Sequence, residues 1–132
     1  MRPLILALAL TPLPAIAGGI DGVWKTNSND KGGYLEVTFG PCATDKAKTC
    51  GVISKAFSKA GENPKSRNIG KDLLTGLTSK DGKSFTGGKI WDPENGGTYD
   101  ATVTVSGDKM DVDGCLSIFC EDKHWTRVEQ GG

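Results

Sequence analysis

Short runs of alternating apolar and polar residues, separated by clusters of glycine, proline, asparagine and aspartate, recur from Gly22 to Val128. A period of two sends successive side chains to opposite faces of an extended segment, so each run reads as a strand with one buried face. Gly22–Thr26 opens the series, and Tyr34–Phe39 follows with Leu35, Val37 and Phe39 on one face. Gly51–Phe57 comes next, then a polar stretch, Ser58–Arg67, that reads as a loop. Asp72–Thr78 fits either a strand or a helical turn leading into one. Asp81-Gly82 signals a hairpin of type I′, with Phe85–Trp91 returning from it. A turn over Asp92–Gly97 precedes Tyr99–Val105, whose apolar face is Tyr99, Ala101, Val103 and Val105. Met110, Val112, Gly114, Leu116 and Ile118 continue the alternation, and Lys123–Val128 closes the chain.

About eight strands joined by mostly short turns restrict the fold to an up-and-down barrel or a sandwich, and short hairpins favour sequential antiparallel neighbours. The expectation is an all-β fold, a small antiparallel up-and-down barrel. No linker divides it.

The first residues obey a different grammar. Met1-Arg2, the apolar run Pro3–Leu10 and the small-x-small end Ala15-Ile16-Ala17 read as a cleavable secretory signal peptide. The apolar run falls short of the roughly 20 residues that a bilayer span needs. Cleavage near Ala17 leaves 132 − 17 = 115 residues, 18–132, as one domain in the periplasm or secreted beyond it. The 16 basic and 16 acidic residues cancel, and loss of Arg2 leaves about one excess negative charge. That balance offers no electrostatic case for nucleic acid or an anionic membrane, and no later apolar stretch supports stable membrane insertion. A protein partner is not identified by the sequence.

Export makes an oxidising home for Cys42, Cys50, Cys115 and Cys120. Three pairings are possible, and two local bridges, Cys42–Cys50 and Cys115–Cys120, are favoured. The polar run Ala43–Thr49 reads as a hairpin loop that brings the first pair together. Each bridge would add roughly 2–2.5 kcal/mol in the loop-entropy picture. Zinc fits poorly, because neither pair is a C-x₂-C knuckle and the sole histidine is His124.

Gly22-x-Trp24, the segment Gly88-Lys89-Ile90-Trp91-Asp92-Pro93-Glu94-Asn95-Gly96, Tyr99 and Trp125-Thr126-Arg127 resemble a bacterial exported family, domain of unknown function 2147. The likeness covers nearly the whole mature chain and extends to the cysteine pattern. It implies a lipocalin-like small barrel and no established reaction. The G-x-W start and W-T-R end also resemble lipocalins, in which a first-strand Trp lies against a late-strand Arg. By that resemblance Trp24, Trp125 and Arg127 are structural residues of barrel closure, with the Arg127 guanidinium over the Trp24 ring.

Motifs for catalysis are weak. His124 reads as a surface or strand residue, and no G-x-S-x-G elbow accompanies it. Gly76–Ser84 carries one residue too many for a phosphate loop and precedes a strand pattern rather than a helix. Counted from Asp92 as a calcium loop, glycine falls at position five and Val103 at twelve, so the motif fails. Asp92 reads instead as a turn residue or a polar contact at a barrel mouth. Scattered carboxylates neither support nor exclude glycoside hydrolysis. No catalytic residue, metal or cofactor is assigned. Binding remains, with Trp91, Asp92, Tyr99 and Phe119 as candidate ligand contacts, the aromatics among them reading first as packed core and second as contacts. The expectation is a non-catalytic periplasmic protein that takes a small apolar or amphipathic ligand. The alternative is an envelope module with a filled barrel that contacts a protein or glycan. A cavity of roughly 300 Å³ or more would favour the first.

Overall fold

The β-branched and aromatic residues that fill the alternating runs suit pleated, half-buried strands, and nine form in the computed structural model. Residues 19–129 are described; the segment read as a signal peptide lies outside them. The strands are β1 (Gly22–Lys25), β2 (Tyr34–Pro41), β3 (Thr49–Ser58), β4 (Gly61–Glu62), β5 (Asp72–Ser79), β6 (Ser84–Trp91), β7 (Thr98–Ser106), β8 (Lys109–Leu116) and β9 (Phe119–Arg127). All pairings are antiparallel. The ladder runs β1-β2-β3-β5-β6-β7-β8-β9 and returns to β1, closing an eight-stranded barrel with β4 as an extra strand on β3.

Several boundaries differ from the sequence reading. The loop assigned to 58–67 contains β4, whose two residues pair with the end of β3. Asp72–Ser79 is strand throughout, because Leu73, Leu74 and Leu77 are buried in the barrel. Asp81-Gly82 does lie in a hairpin connection, but only Gly82 has positive φ (75°), so the turn is not type I′. Asp81 Oδ1 instead accepts hydrogen bonds from the backbone N–H groups of Lys83 (2.8 Å) and Ser84 (2.9 Å). Those bonds hold its carboxyl below the usual carboxylate range. The inward alternation from Met110 stops before the tip of the hairpin. Leu116 and Ile118 are exposed, the chain turns at Ser117-Ile118, and β9 starts four residues earlier than the sequence indicated.

Antiparallel topology puts four connections at one end: 26–33, 59–71, 92–97 and 117–118. The opposite end carries residues 19–21, the turns 42–48, 80–83 and 107–108, and the end of β9. Bulky side chains crowd the interior toward that second end, with Trp24, Val37, Phe39, Ile53, Leu77, Phe85, Val103, Val105, Met110 and Val112 all buried. Gly88 is required by this packing: a Cβ there would stand 2.6 Å from Leu77 Cδ2 and 2.7 Å from the Thr75 carbonyl oxygen. Disulfides join Cys42 to Cys50 across the β2–β3 turn and Cys115 to Cys120 across the β8–β9 turn.

Strand β1 meets β9 at only two paired positions, Trp24↔Arg127 and Lys25↔Thr126. Arg127 reinforces this short joint. Its guanidinium lies 4.3 Å from the Trp24 ring centroid. Its Nη2 donates to the carbonyls of Gly19 (2.6 Å) and Gly107 (3.1 Å), Nη1 donates to the Asp21 backbone carbonyl (3.1 Å), and Nε pairs with the Asp108 carboxylate (3.2 Å). Trp24 Nε1 donates to the Ile20 carbonyl at 2.8 Å. Arg127→Ala is expected to cost about 2–4 kcal/mol in urea unfolding, from several charge-assisted hydrogen bonds plus the cation–π contact. Arg127→Lys, lacking the fork, should fall between the two.

Candidate functional site, a cavity at the barrel mouth

On β8 the inward-facing residues shrink toward the end with the four connections, from Met110 and Val112 to Gly114. Where the side chains end, a cavity of about 870 Å³ opens. Its apolar wall includes Leu35, Leu73, Ile90 and Trp125. Above these stand uncharged polar side chains, Asn27, Asn63, Ser66 and Asn68.

The four candidate contacts named from sequence are all on this cavity, drawn from different elements. Trp91 ends β6, and Asp92 begins the β6–β7 turn. Tyr99 opens the inward row of β7, and Phe119 stands at the start of β9, largely exposed. The turn is self-supporting. Asp92 Oδ1 accepts from the Glu94 N–H (2.8 Å), Asn95 Oδ1 accepts from the Gly97 N–H (2.7 Å), and Asn95 Nδ2 donates to the Tyr99 hydroxyl (3.0 Å). Gly96 takes the positive φ (77°) that this turn needs. Of the closure residues, Trp24 and Arg127 meet at the opposite end, whereas Trp125 lines the cavity and donates from Nε1 to Asn27 Oδ1 at 3.2 Å.

Sequence reasoning missed several wall residues. Lys123 and Glu121, on β9, line the cavity as an ion pair at 3.3 Å. Their spacing of two with Trp125 placed them on one face, and that signal was legible. The contact between Asn29 Nδ2 and Glu94 Oε2 (2.8 Å) was not. It joins the β1–β2 and β6–β7 connections, which stand on opposite sides of the mouth in the strand order.

His124 is on the outer wall, away from the cavity lining. In register, Asp111 opposes His124 and Asp113 opposes Asp122. His124 Nδ1 contacts Asp111 Oδ1 at 2.5 Å, and Nε2 stands 3.5 Å from Asp122. Asp111, Asp122 and His124 are the one group among the described residues whose ligand atoms cluster within 4.8 Å. The ion pairing accounts for that geometry. Burial, then the neighbouring Asp122, raises the Asp113 carboxyl above its ordinary value.

A family model described as an uncharacterized protein conserved in bacteria (DUF2147) matches residues 22–127. The chain belongs to this family. The DUF2147 barrel is similar to a solved structure titled "Protein HP1028 from the human pathogen Helicobacter pylori belongs to the lipocalin family". The likeness covers 83% of each chain with a TM-score of 0.63 at 16% identity, and it shows a lipocalin-like fold. No curated protein matches the chain in sequence. Two disulfides and a bacterial family fit an exported protein.

The hydrogen bond to Asp111, followed by the charge of Asp122, raises the His124 pKa above the ordinary histidine value. Stabilisation from this contact is therefore complete below the unfolded-state pKa and is lost as pH rises through the folded-state value. An NMR titration should place the imidazole midpoint above that of a free histidine. Asp111→Asn should lower it, with the charge of Asp122 leaving part of the upward shift.

Proposed function

We propose that this DUF2147 barrel is a non-catalytic periplasmic protein that binds a small amphipathic molecule in its open half. The carrying observation is the cavity itself. Its volume of about 870 Å³ lies within the range typical of small-molecule sites, and its lining combines apolar side chains with uncharged and charged polar ones. An apolar portion of the ligand rests against Leu35, Leu73, Ile90 and Trp125. A polar portion meets the amide and hydroxyl groups of Asn27, Asn63, Ser66 and Asn68. Trp91, Tyr99 and Phe119 supply aromatic surface between these levels, and Asp92 a polar contact beside them.

Two further observations support binding over catalysis. The histidine is outside the cavity lining, and Asp92 is committed to the backbone of its own turn. The rival reading, a filled barrel acting through its outer surface, accords less well with an interior that is packed at one end and open at the other.

Gly114 offers a direct test. It lies in the inward row of β8 and lines the cavity, and a Cβ there would stand 3.2 Å from Ile90 Cγ2. Gly114→Leu puts a branched side chain into the open space. Binding of the apolar probe N-phenyl-1-naphthylamine, followed by fluorescence, is expected to weaken by about tenfold or more, the size of effect from filling a pocket with a few methylenes. Circular dichroism should still report a cooperatively unfolding β protein. Equal probe binding by the variant and the parent would overturn the assignment.

A further inference from the structure

The β8–β9 turn carries an unusual surface. Turns at strand ends ordinarily bear glycine, asparagine, aspartate or serine. Here three large apolar residues crowd the tip, with Leu116 63%, Ile118 84% and Phe119 76% exposed. The tip is held in place. Cys115–Cys120 bridges its base, and Ser117 occupies the left-handed region at φ 60°. Leu116 and Phe119 also line the cavity, so an apolar surface continues from the cavity wall to the outermost turn of the hairpin.

Charge at this end is sorted. Among the four mouth connections, Asp30, Asp92 and Glu94 line the cavity. Lys31, Lys59, Lys65, Arg67 and Lys71 do not; all five are exposed, and Glu62 is the one acid outside the lining with them. The even balance of the whole chain conceals this arrangement: four of the five cations stand on the β3–β5 connection, across the mouth from the β8–β9 tip in the strand order. Of the acids next to the tip, Glu121 is paired with Lys123, while Asp122 shares His124 with Asp111 and stands opposite Asp113.

We infer that the mouth end docks reversibly on a lipid bilayer containing anionic lipid, with the Leu116–Phe119 tip entering the interface on one side of the mouth and the basic β3–β5 connection facing the phosphates on the other. Three side chains are far too few for a specific protein interface, which buries roughly 800 Å² on each partner. A bilayer needs no matching surface: apolar groups at a protruding tip partition into it, and nearby cations add attraction to anionic headgroups. The inference rests on the cavity reading and extends it. An amphiphile would pass between bilayer and barrel along Leu116 and Phe119 without its apolar part crossing water.

The test uses the mature protein and vesicles of equimolar phosphatidylethanolamine and phosphatidylglycerol, read by co-sedimentation. Ile118 is chosen because it does not line the cavity, so Ile118→Asp leaves the interior intact. The variant should partition about tenfold less than the parent, as expected for replacing a buried aliphatic group with a charge. Lys65→Glu with Arg67→Glu should lower partition on these vesicles and leave it unchanged on pure phosphatidylcholine, and added salt should reproduce that loss. Binding of N-phenyl-1-naphthylamine without vesicles should be the same in every variant. If that probe fails to bind even the parent protein, the cavity reading fails; if the probe binds but vesicles do not retain the parent, only the docking inference is overturned. Equal partition of Ile118→Asp and the parent would also overturn it. So would a parent dimer, seen by light scattering, that Ile118→Asp dissolves, since the tip would then be covered by a second copy.

Discussion

Everything in this fold depends on closing the ladder between β1 and β9. A closed barrel leaves no strand edge open to another chain, but its last joint must form between segments from the two ends of the domain. Here that joint is two residue pairs long, extended by the Val128 N–H to the Val23 carbonyl at 2.8 Å. Backbone pairing alone would make a weak seam. Arg127 strengthens it by gathering carbonyls from the N-terminal segment and the β7–β8 turn around one guanidinium, with the Trp24 ring beneath. Because those contacts join β1, β8 and β9 at once, the seam and the sealed end form together.

The sealed end permits the open one. Stability comes chiefly from the half of the interior filled by Trp24, Phe39, Ile53, Leu77, Met110 and their neighbours. The mouth half forgoes comparable packing, since Gly114 leaves open space in the cavity wall where a larger inward residue would stand. The cavity thus continues the same barrel interior, beginning where rows such as Met110-Val112-Gly114 run out of bulk. The disulfides reinforce opposite ends, Cys42–Cys50 beside the packed core and Cys115–Cys120 at the mouth, where fewer buried contacts hold the chain.

Much of this was legible because alternation is a local signal. The rows Leu35-Val37-Phe39 and Ala101-Val103-Val105 face inward in the barrel, and both short-range cysteine pairs meet. Periodicity names the face a residue occupies but not its height along the barrel. The row Met110-Val112-Gly114 therefore read straight on through Leu116 and Ile118, although the chain has reached the mouth and left the core by then. The same blindness hid Lys123 and Glu121 as cavity walls. Pairings that depend on two distant loops meeting, such as Asn29 with Glu94, leave no mark in either segment.

The three tryptophans mark three levels along the barrel. Trp24 is sealed beneath a cation, Trp125 forms part of the cavity wall with its indole nitrogen bonded to Asn27, and Trp91 stands at the entrance under Lys71. Two of these chromophores are buried and the third stands partly exposed. The protein carries its own optical depth scale, on which a quencher confined to water reaches the entrance indole before the other two.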